Sequence, residues 1–434
     1  MIKLYLKQAW QLLRQNKLFS AVYILGTALG IAMTMTLVII YYVKMAPNYP
    51  EQKRDRTLVC NSLVVEGRRS DDMSSSSYSY KAVKQYFYPL KGAEAVTAIL
   101  NRDEASSVEL PDKELKQVQV KLTDAAFWRV FDFAFVSGKP FTQADFDAGL
   151  RTAVISASLS RQLFAGEETV GKTFLLDAAE YKVAGVVKDV SFAMPATYAD
   201  IWLPLTADVS AVAADENHCD GLLGDMHVYM LAPSVGAMDD VAMEVSDAFR
   251  KYNFSQDKHL AKLLGQPVPY WKSIFYEFSN VEPSWSGLLC MYGIILFALL
   301  IVPALNLAGM ISSRMNRQLA ELGIRKAFGA SKRELLKQIF WENMFLTFLG
   351  GVLGLLFSYL VVYWGRNWLP TLFDSFPGTM PDGVDTVLTP GMLFNPVVII
   401  VMFLFCFVLN VLSAMIPALN ALRKSIVYSI NEKR

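Results

Sequence analysis

The chain has 434 residues with 41 basic and 40 acidic side chains, a net charge of +1, and 53% of its residues are apolar. That balance leaves no basic excess to attract nucleic acid. The apolar residues are gathered into four long runs, which excludes an ordinary soluble domain and predicts an integral membrane protein.

In residues 1–17, Ile2, Leu6, Trp10 and Leu13 recur every three or four positions with Lys3, Lys7 and Arg14 on other faces. This is the pattern of a helix lying along lipid headgroups. Residues 18–43 form the first run, about the ~20 apolar residues that cross a bilayer. A secretory signal core is only roughly 7 to 15 residues long, so an uncleaved anchor is expected. Residues 44–286 are polar and aromatic-rich, enough for a folded domain. Within them Val154 and Ile155 suggest a strand, Ser156 to Phe164 a helix, Thr173 to Val187 a hairpin, and the Ser-rich stretch Asp71 to Ser79 a mobile loop. Further spans are predicted at 287–311, 339–364 and 394–416, separated by a loop at 312–338 and a second at 365–393 and followed by a tail at 417–434. The predicted fold is a membrane α-helical protein with four transmembrane helices and a large α+β domain inserted between helices 1 and 2.

Sidedness follows from Lys and Arg near the membrane, which stay cytoplasmic. The stretches before span one, between spans two and three, and after span four hold 15 of the 41 basic and 3 of the 40 acidic residues. The rest of the chain has 26 and 37, or −11. Both termini and the middle loop are therefore expected inside, and the inserted domain outside.

Two pairs of glycines, Gly26 with Gly30 and Gly350 with Gly354, have the four-residue spacing that lets helix backbones approach closely in lipid. The first pair is expected at a contact with a second chain. Pro303 and Asn306 suggest a kink and a polar contact in span two. With Glu342 near the inner edge of span three and no Asp, Lys or Arg within the spans, nothing resembles an ion-coupled path.

The middle loop has a local design. Leu319, Leu322 and Phe328 follow helical spacing, Gly329 supplies a helix stop, and Ser331-Lys332-Arg333-Glu334 is a capping box before span three. Taken alone, this could be an amphipathic hairpin on anionic lipid.

The run from Asn306 to Asn343, NLAGMISSRMNRQLAELGIRKAFGASKRELLKQIFWEN, resembles the signature of the FtsX-like and MacB-like permeases of ABC transporters. The opening YLKQAWQLLRQNKLFSAVYILGTALGIA and the closing Ile416-Pro417-Ala418-Leu419-Asn420-Ala421 are similar to the same family. So are Phe127 to Phe133, Ser137 to Phe141 and Thr152 to Ser156, which resemble its extracytoplasmic core domain. The resemblance implies that Glu321, Leu322, Gly323, Ile324, Arg325, Lys326, Ala327, Phe328, Gly329 and Ala330 dock on a separate ATPase subunit. It also implies a second permease chain, identical or paralogous, with ATP and Mg²⁺ held by the ATPase and no cofactor in this chain. Lipid and an extracytoplasmic partner protein complete the expected contacts. The expected output is export or extraction of an amphiphilic, peptide or lipid-linked substrate from a bacterial inner membrane. The alternative is regulation of an extracytoplasmic enzyme or sensor by the same motion.

Other signals are weaker. Gly166 to Thr173 fits G-x-x-x-x-G-K-[ST], but two glutamates lie inside the cradle and an apolar run follows it, so an accidental match is expected. His218, Cys219, Asp220, Asp225 and His227 match no standard zinc spacing, and a polar loop is expected. Cys60 and Cys219 share the oxidising side and could form a disulfide; Cys290 and Cys406 are expected to pack within spans. No nucleophile or acid–base pair stands out.

Overall fold

A computed structural model describes residues 10, 17–69, 72–102, 106–165, 167–208, 219–276, 281–299, 301, 324, 328–329, 331–369, 390–393 and 395–423. The chain divides into two compact units. One comprises Met1–Tyr41, Ser284–Leu369 and Pro390–Arg434, and the other Tyr42–Pro283 and Pro370–Thr389. We call these the membrane unit and the outer unit.

The outer unit is α+β. Its strands join in one 16-stranded sheet, mostly antiparallel, whose edges are His259–Lys262 and Leu115–Val118. Two parallel pairings occur, between Thr152–Ser156 and Ala179–Val187 and between Val120–Thr123 and Ile201–Pro204. The expected strand–helix–hairpin sequence is present. Ser156 ends a strand and caps helix Ala157–Phe164 by accepting the Leu159 amide at 3.2 Å, and Thr173–Leu176 pairs with Ala179–Val187. The motif Phe127 to Phe133 is structural. A short helix, Phe127–Val130, buries Phe127 and leads into buried Phe131. Trp128 packs edge-on to Phe127 and Phe141.

The expected loop at Asp71 to Ser79 is corrected. Met73–Tyr78 is a strand, paired on one side with Leu63–Gly67 and on the other with Leu223–Gly224 and Met226. Serine is a poor strand former in isolation, but ladder partners on both sides supply what propensity lacks. The hydroxyls of Ser76 and Ser77 donate to the Gly224 and Asn61 carbonyls.

Asp124 is a buried polar hub. Its carboxylate accepts from the Thr97 hydroxyl at 2.7 Å, the Tyr88 hydroxyl at 2.7 Å, and the amides of Ala98 and Phe127 at 3.0 Å each. Four donors make its burial tolerable.

Among the described residues two helices are long and apolar enough to cross a bilayer, α1 (Lys17–Met45), whose last four residues belong to the outer unit, and α3 (Lys332–Trp364). Shorter apolar helices are α2 (Trp285–Leu299) and the start of α4 (Pro396–Arg423). Pro303 and Asn306 lie outside the described residues, as does the N-terminal amphipathic stretch apart from Trp10.

Candidate functional site

Of the ten residues expected to dock on an ATPase, the structure describes Ile324, Phe328 and Gly329; Glu321, Leu322, Gly323, Arg325, Lys326, Ala327 and Ala330 lie outside the described residues. Ile324 is helical, and its carbonyl accepts the Phe328 amide at 3.0 Å, one α-helical turn. Gly329 follows with φ +90° and open space around the position a Cβ would take. A side chain there would be strained by the backbone rather than by crowding. Phe328 is 87% exposed and Ile324 51%. Both apolar side chains stand outside the packed core.

The turn leads directly into α3. Ser331 Oγ accepts the Glu334 amide at 3.3 Å, and the Glu334 carboxylate accepts the Ser331 amide at 3.0 Å, a complete capping box. The capping box fixes the first turn of α3.

Along the membrane unit, α3 lies against α1. Tyr23 and Thr347 share a hydroxyl hydrogen bond of 3.0 Å. A Cβ on Gly350 would fall 2.8 Å from the Thr27 Cβ and 3.0 Å from the Ile24 carbonyl oxygen, and one on Gly354 would fall 2.6 Å from the Ala28 carbonyl oxygen. Positions rise together on both helices, so α1 and α3 run parallel. The surface facing Gly350 and Gly354 is built from Ile24, Thr27, Ala28 and Ile31. In α1, Gly30 is buried and Gly26 half-buried, and the Gly30 carbonyl accepts the Thr34 hydroxyl at 2.9 Å.

Helices α3 and α4 run antiparallel. Gly351 meets Phe403, since a Cβ there would lie 2.6 Å from its ring, while Tyr359, further along α3, donates to the Leu393 carbonyl just before α4. Near the far end of α1, the Tyr41 hydroxyl donates to Tyr292 of α2 at 2.9 Å. Sequence reasoning marked the α3 glycines but passed over Tyr23, Thr27 and Thr347, because a lone Thr or Tyr in an apolar run has no local signature of contact.

The remaining sequence signals resolve into structure. Gly166 lies outside the described residues, but Lys172 Nζ pairs with the Glu167 carboxylate at 2.5 Å and the segment after it is strand Thr173–Leu176. A phosphate loop needs a helix N-terminus at that place. His218 lies outside the described residues. Asp220 accepts from Tyr252 at 3.2 Å and pairs with His259 Nδ1 at 2.6 Å, and the His259 contact holds its carboxyl below the usual range. Cys60 and Cys219 are both free thiols; burial pushes the Cys60 thiol up, so it stays protonated and unreactive.

The MacB-like periplasmic core domain model matches residues 20–248, and the FtsX-like permease C-terminal model matches residues 293–426. The uncharacterised ABC transporter permease YknZ of Bacillus subtilis is 22% identical over 277 residues, covering 62% of this chain and 64% of that protein. The macrolide export ATP-binding/permease protein MacB of Escherichia coli K12 is 20% identical over 435 residues, covering 96% of this chain and 59% of that protein. The chain thus spans less than two thirds of the length of these relatives. Among solved structures, the extracellular domain of YknZ aligns with a TM-score of 0.32 at 14% identity, over 46% of this chain and all of that domain. On the match of the core-domain model to more than half of its residues, joined to the permease match in the second part, this chain belongs to the MacB-like and FtsX-like family of ABC transporter permeases.

Proposed function

We propose that this chain is a permease subunit that turns ATP hydrolysis by a separate ATPase subunit into movement of its outer unit. That movement would expel or extract an amphiphilic, peptide or lipid-linked substrate beyond a bacterial inner membrane. The observation that carries the reading is the exposed Phe328 at the Gly329 turn, coupled through the Ser331 capping box to α3. A push on the turn would act on α3, and α3 lies against α1 with glycine at the contact. Helix α1 in turn leads without a break into the outer unit at Tyr42.

Four crossings suit the helix directions. Alternating spans require the first and third to be parallel and the third and fourth antiparallel, as the Tyr23–Thr347 and Tyr359–Leu393 bonds have them. The basic stretches argue that the Phe328 turn is cytoplasmic. ATP chemistry is assigned to the partner, and a second permease chain completes the complex.

The test is Phe328→Asp in the full chain. Burying Phe328 against a partner is worth ~2–3 kcal/mol, so its loss should weaken ATPase binding by roughly 30- to 150-fold. Membrane insertion should be normal. Gly329→Val should act in the same direction through backbone strain. A Phe328→Asp chain that still co-purifies its ATPase and sustains coupled hydrolysis would sink the docking assignment, and membrane association of the loop alone would then explain the exposed side chain. A cysteine at Phe328 that reacts with an impermeant thiol reagent in intact cells, when one at Lys113 does not, would reverse the orientation.

A further inference from the structure

Just past α1, Glu51 and Arg54 form an ion pair that is almost wholly inside the outer unit, with side chains 0% and 3% exposed. Every guanidinium N–H has an acceptor. Nε donates to Glu51 Oε2 at 2.8 Å and Nη2 to the same oxygen and to Met194 Sδ at 3.3 Å. Nη1 donates to the carbonyls of Lys44 and Ala46, the second at 3.2 Å. The other carboxylate oxygen, Glu51 Oε1, accepts the Thr197 hydroxyl at 2.7 Å.

The two carbonyls are the informative partners. A helix leaves its last four carbonyls without intrahelical donors, and a cation there also meets the negative end of the helix dipole. At the end of α1 the Tyr42 carbonyl still accepts the Ala46 amide at 2.8 Å, the Val43 carbonyl accepts Asn48 Nδ2 at 3.1 Å, and Arg54 takes the Lys44 carbonyl and that of Ala46, the residue after the helix. Arg54 thus caps the last turn of α1, and that turn and Arg54 both belong to the outer unit. Its guanidinium also lies 4.5 Å from the centroid of Tyr270, which opens the short helix Tyr270–Ser273 on the stretch that leads back toward α2. The outgoing end of α1, the turn Arg54–Arg56 that precedes strand Thr57–Cys60, the Met194–Thr197 segment and Tyr270 of the returning chain all meet at one pair of charges.

We propose that the Glu51–Arg54 pair is the joint that fixes the last turn of α1 to the sheet and to the returning segment, so that displacement of α1 is delivered to the outer unit. The inference rests on the coupling reading above and deepens it by naming where the motion is handed over. Stability alone is a poor reason for this pair, because a buried ion pair is often replaceable by apolar side chains at no loss. Apolar contacts are non-directional and could slide, whereas five hydrogen bonds from one planar group hold a helix end at a fixed angle.

The experiment uses the full chain assembled with its ATPase subunit in nanodiscs. Hydrogen exchange of outer-unit peptides covering 47–62 and 223–231 is compared between the nucleotide-free and the ATP-plus-vanadate states. In the Glu51→Leu, Arg54→Met double variant the outer unit should keep its thermal transition and the complex its hydrolysis rate within about twofold. The nucleotide-dependent exchange difference should fall at least threefold. A full wild-type difference in the double variant overturns the joint while leaving the coupling reading intact. No difference in the wild type overturns the coupling reading, and the joint with it. Should the double variant not fold, Arg54→Lys is measured instead, since it keeps the charge but replaces a planar fork of five donors with three donors on one atom. It should show the same fall, and an unchanged difference there overturns the joint.

Discussion

In the outer unit the largest side chains are inside: Trp202, Phe127, Phe131, Phe141, Phe249 and Tyr78 are all fully buried. In the membrane unit the buried positions include the large side chains Tyr23, Ile31 and Met35 but also Gly350, Gly354, Thr27, Thr347 and Ser358, while Leu25, Leu29, Leu356, Phe357 and Leu360 are 50–65% exposed. The solvent explains the difference. Water drives large apolar groups into a core, whereas hydrocarbon is as apolar as leucine and leaves close backbone approach and interhelical hydrogen bonds to hold helices together. The polar interior of the outer unit follows the first rule too, for Asp124 is buried only with four donors around it.

The contrast breaks most visibly at Gly354. A leucine there must push its Cβ into the Ala28 carbonyl, which backbone cannot yield cheaply. Gly354→Leu should therefore abolish most of the monodisperse chain purified in detergent, an effect well beyond the ~1–3 kcal/mol of overpacking in an adaptable core. The lipid-facing change Leu360→Ala should cost less than ~1 kcal/mol. Size-exclusion profiles with thermal melts compare the two, and equal losses would end the close-approach account.

In the outer unit the equivalent lesion removes an acceptor instead of adding a methylene. Asp124→Ala leaves the Thr97 and Tyr88 hydroxyls and two amides without their partner, each worth ~1–3 kcal/mol when buried unpaired and not fully additive. Destabilisation of ~3–5 kcal/mol is expected from urea unfolding followed by tryptophan fluorescence. A change under ~1 kcal/mol would mean that water or a repacked neighbour replaces the carboxylate.

The smallest effect sharpens the boundary between interior and surface. Asp220 is held below the usual carboxylate range first by its hydrogen bond to His259, then by charge. A depressed carboxylate contributes stability above its unfolded pKa of ~3.9, and that contribution is lost as pH falls through the lower folded value. Both partners are about one-third exposed, so the pair contributes no more than ~1 kcal/mol. His259→Ala should raise the Asp220 pKa, read by carboxyl NMR titration, with little change in unfolding midpoint at neutral pH. An unmoved Asp220 titration would assign the depression to Tyr252 instead.

How much of this was readable beforehand depends on the range of the interaction. The capping box at Ser331 and Glu334, the stop at Gly329 and the hairpin at Thr173 to Val187 are contacts within a few residues, and all three were visible in the residue pattern. The glycine spacing in α3 was visible as well, but its opposing surface of Ile24, Thr27, Ala28 and Ile31 was not, since the partner lies more than 300 positions away. The Ser-rich strand was misread because its residues, taken alone, favour a loop.

By itself, the sequence determined where its long apolar runs fall, that a capping box opens α3, and which family signatures it carries. Hydropathy, capping and turn chemistry act over one or two turns, so they are written locally. Tertiary structure alone decided that Met73–Tyr78 is a strand, that Gly350 and Gly354 face α1, and that Arg54 closes the end of α1 from inside the outer unit. Each of those depends on a partner brought close only by folding, and a hydrogen bond or a close backbone approach has no meaning until that partner arrives.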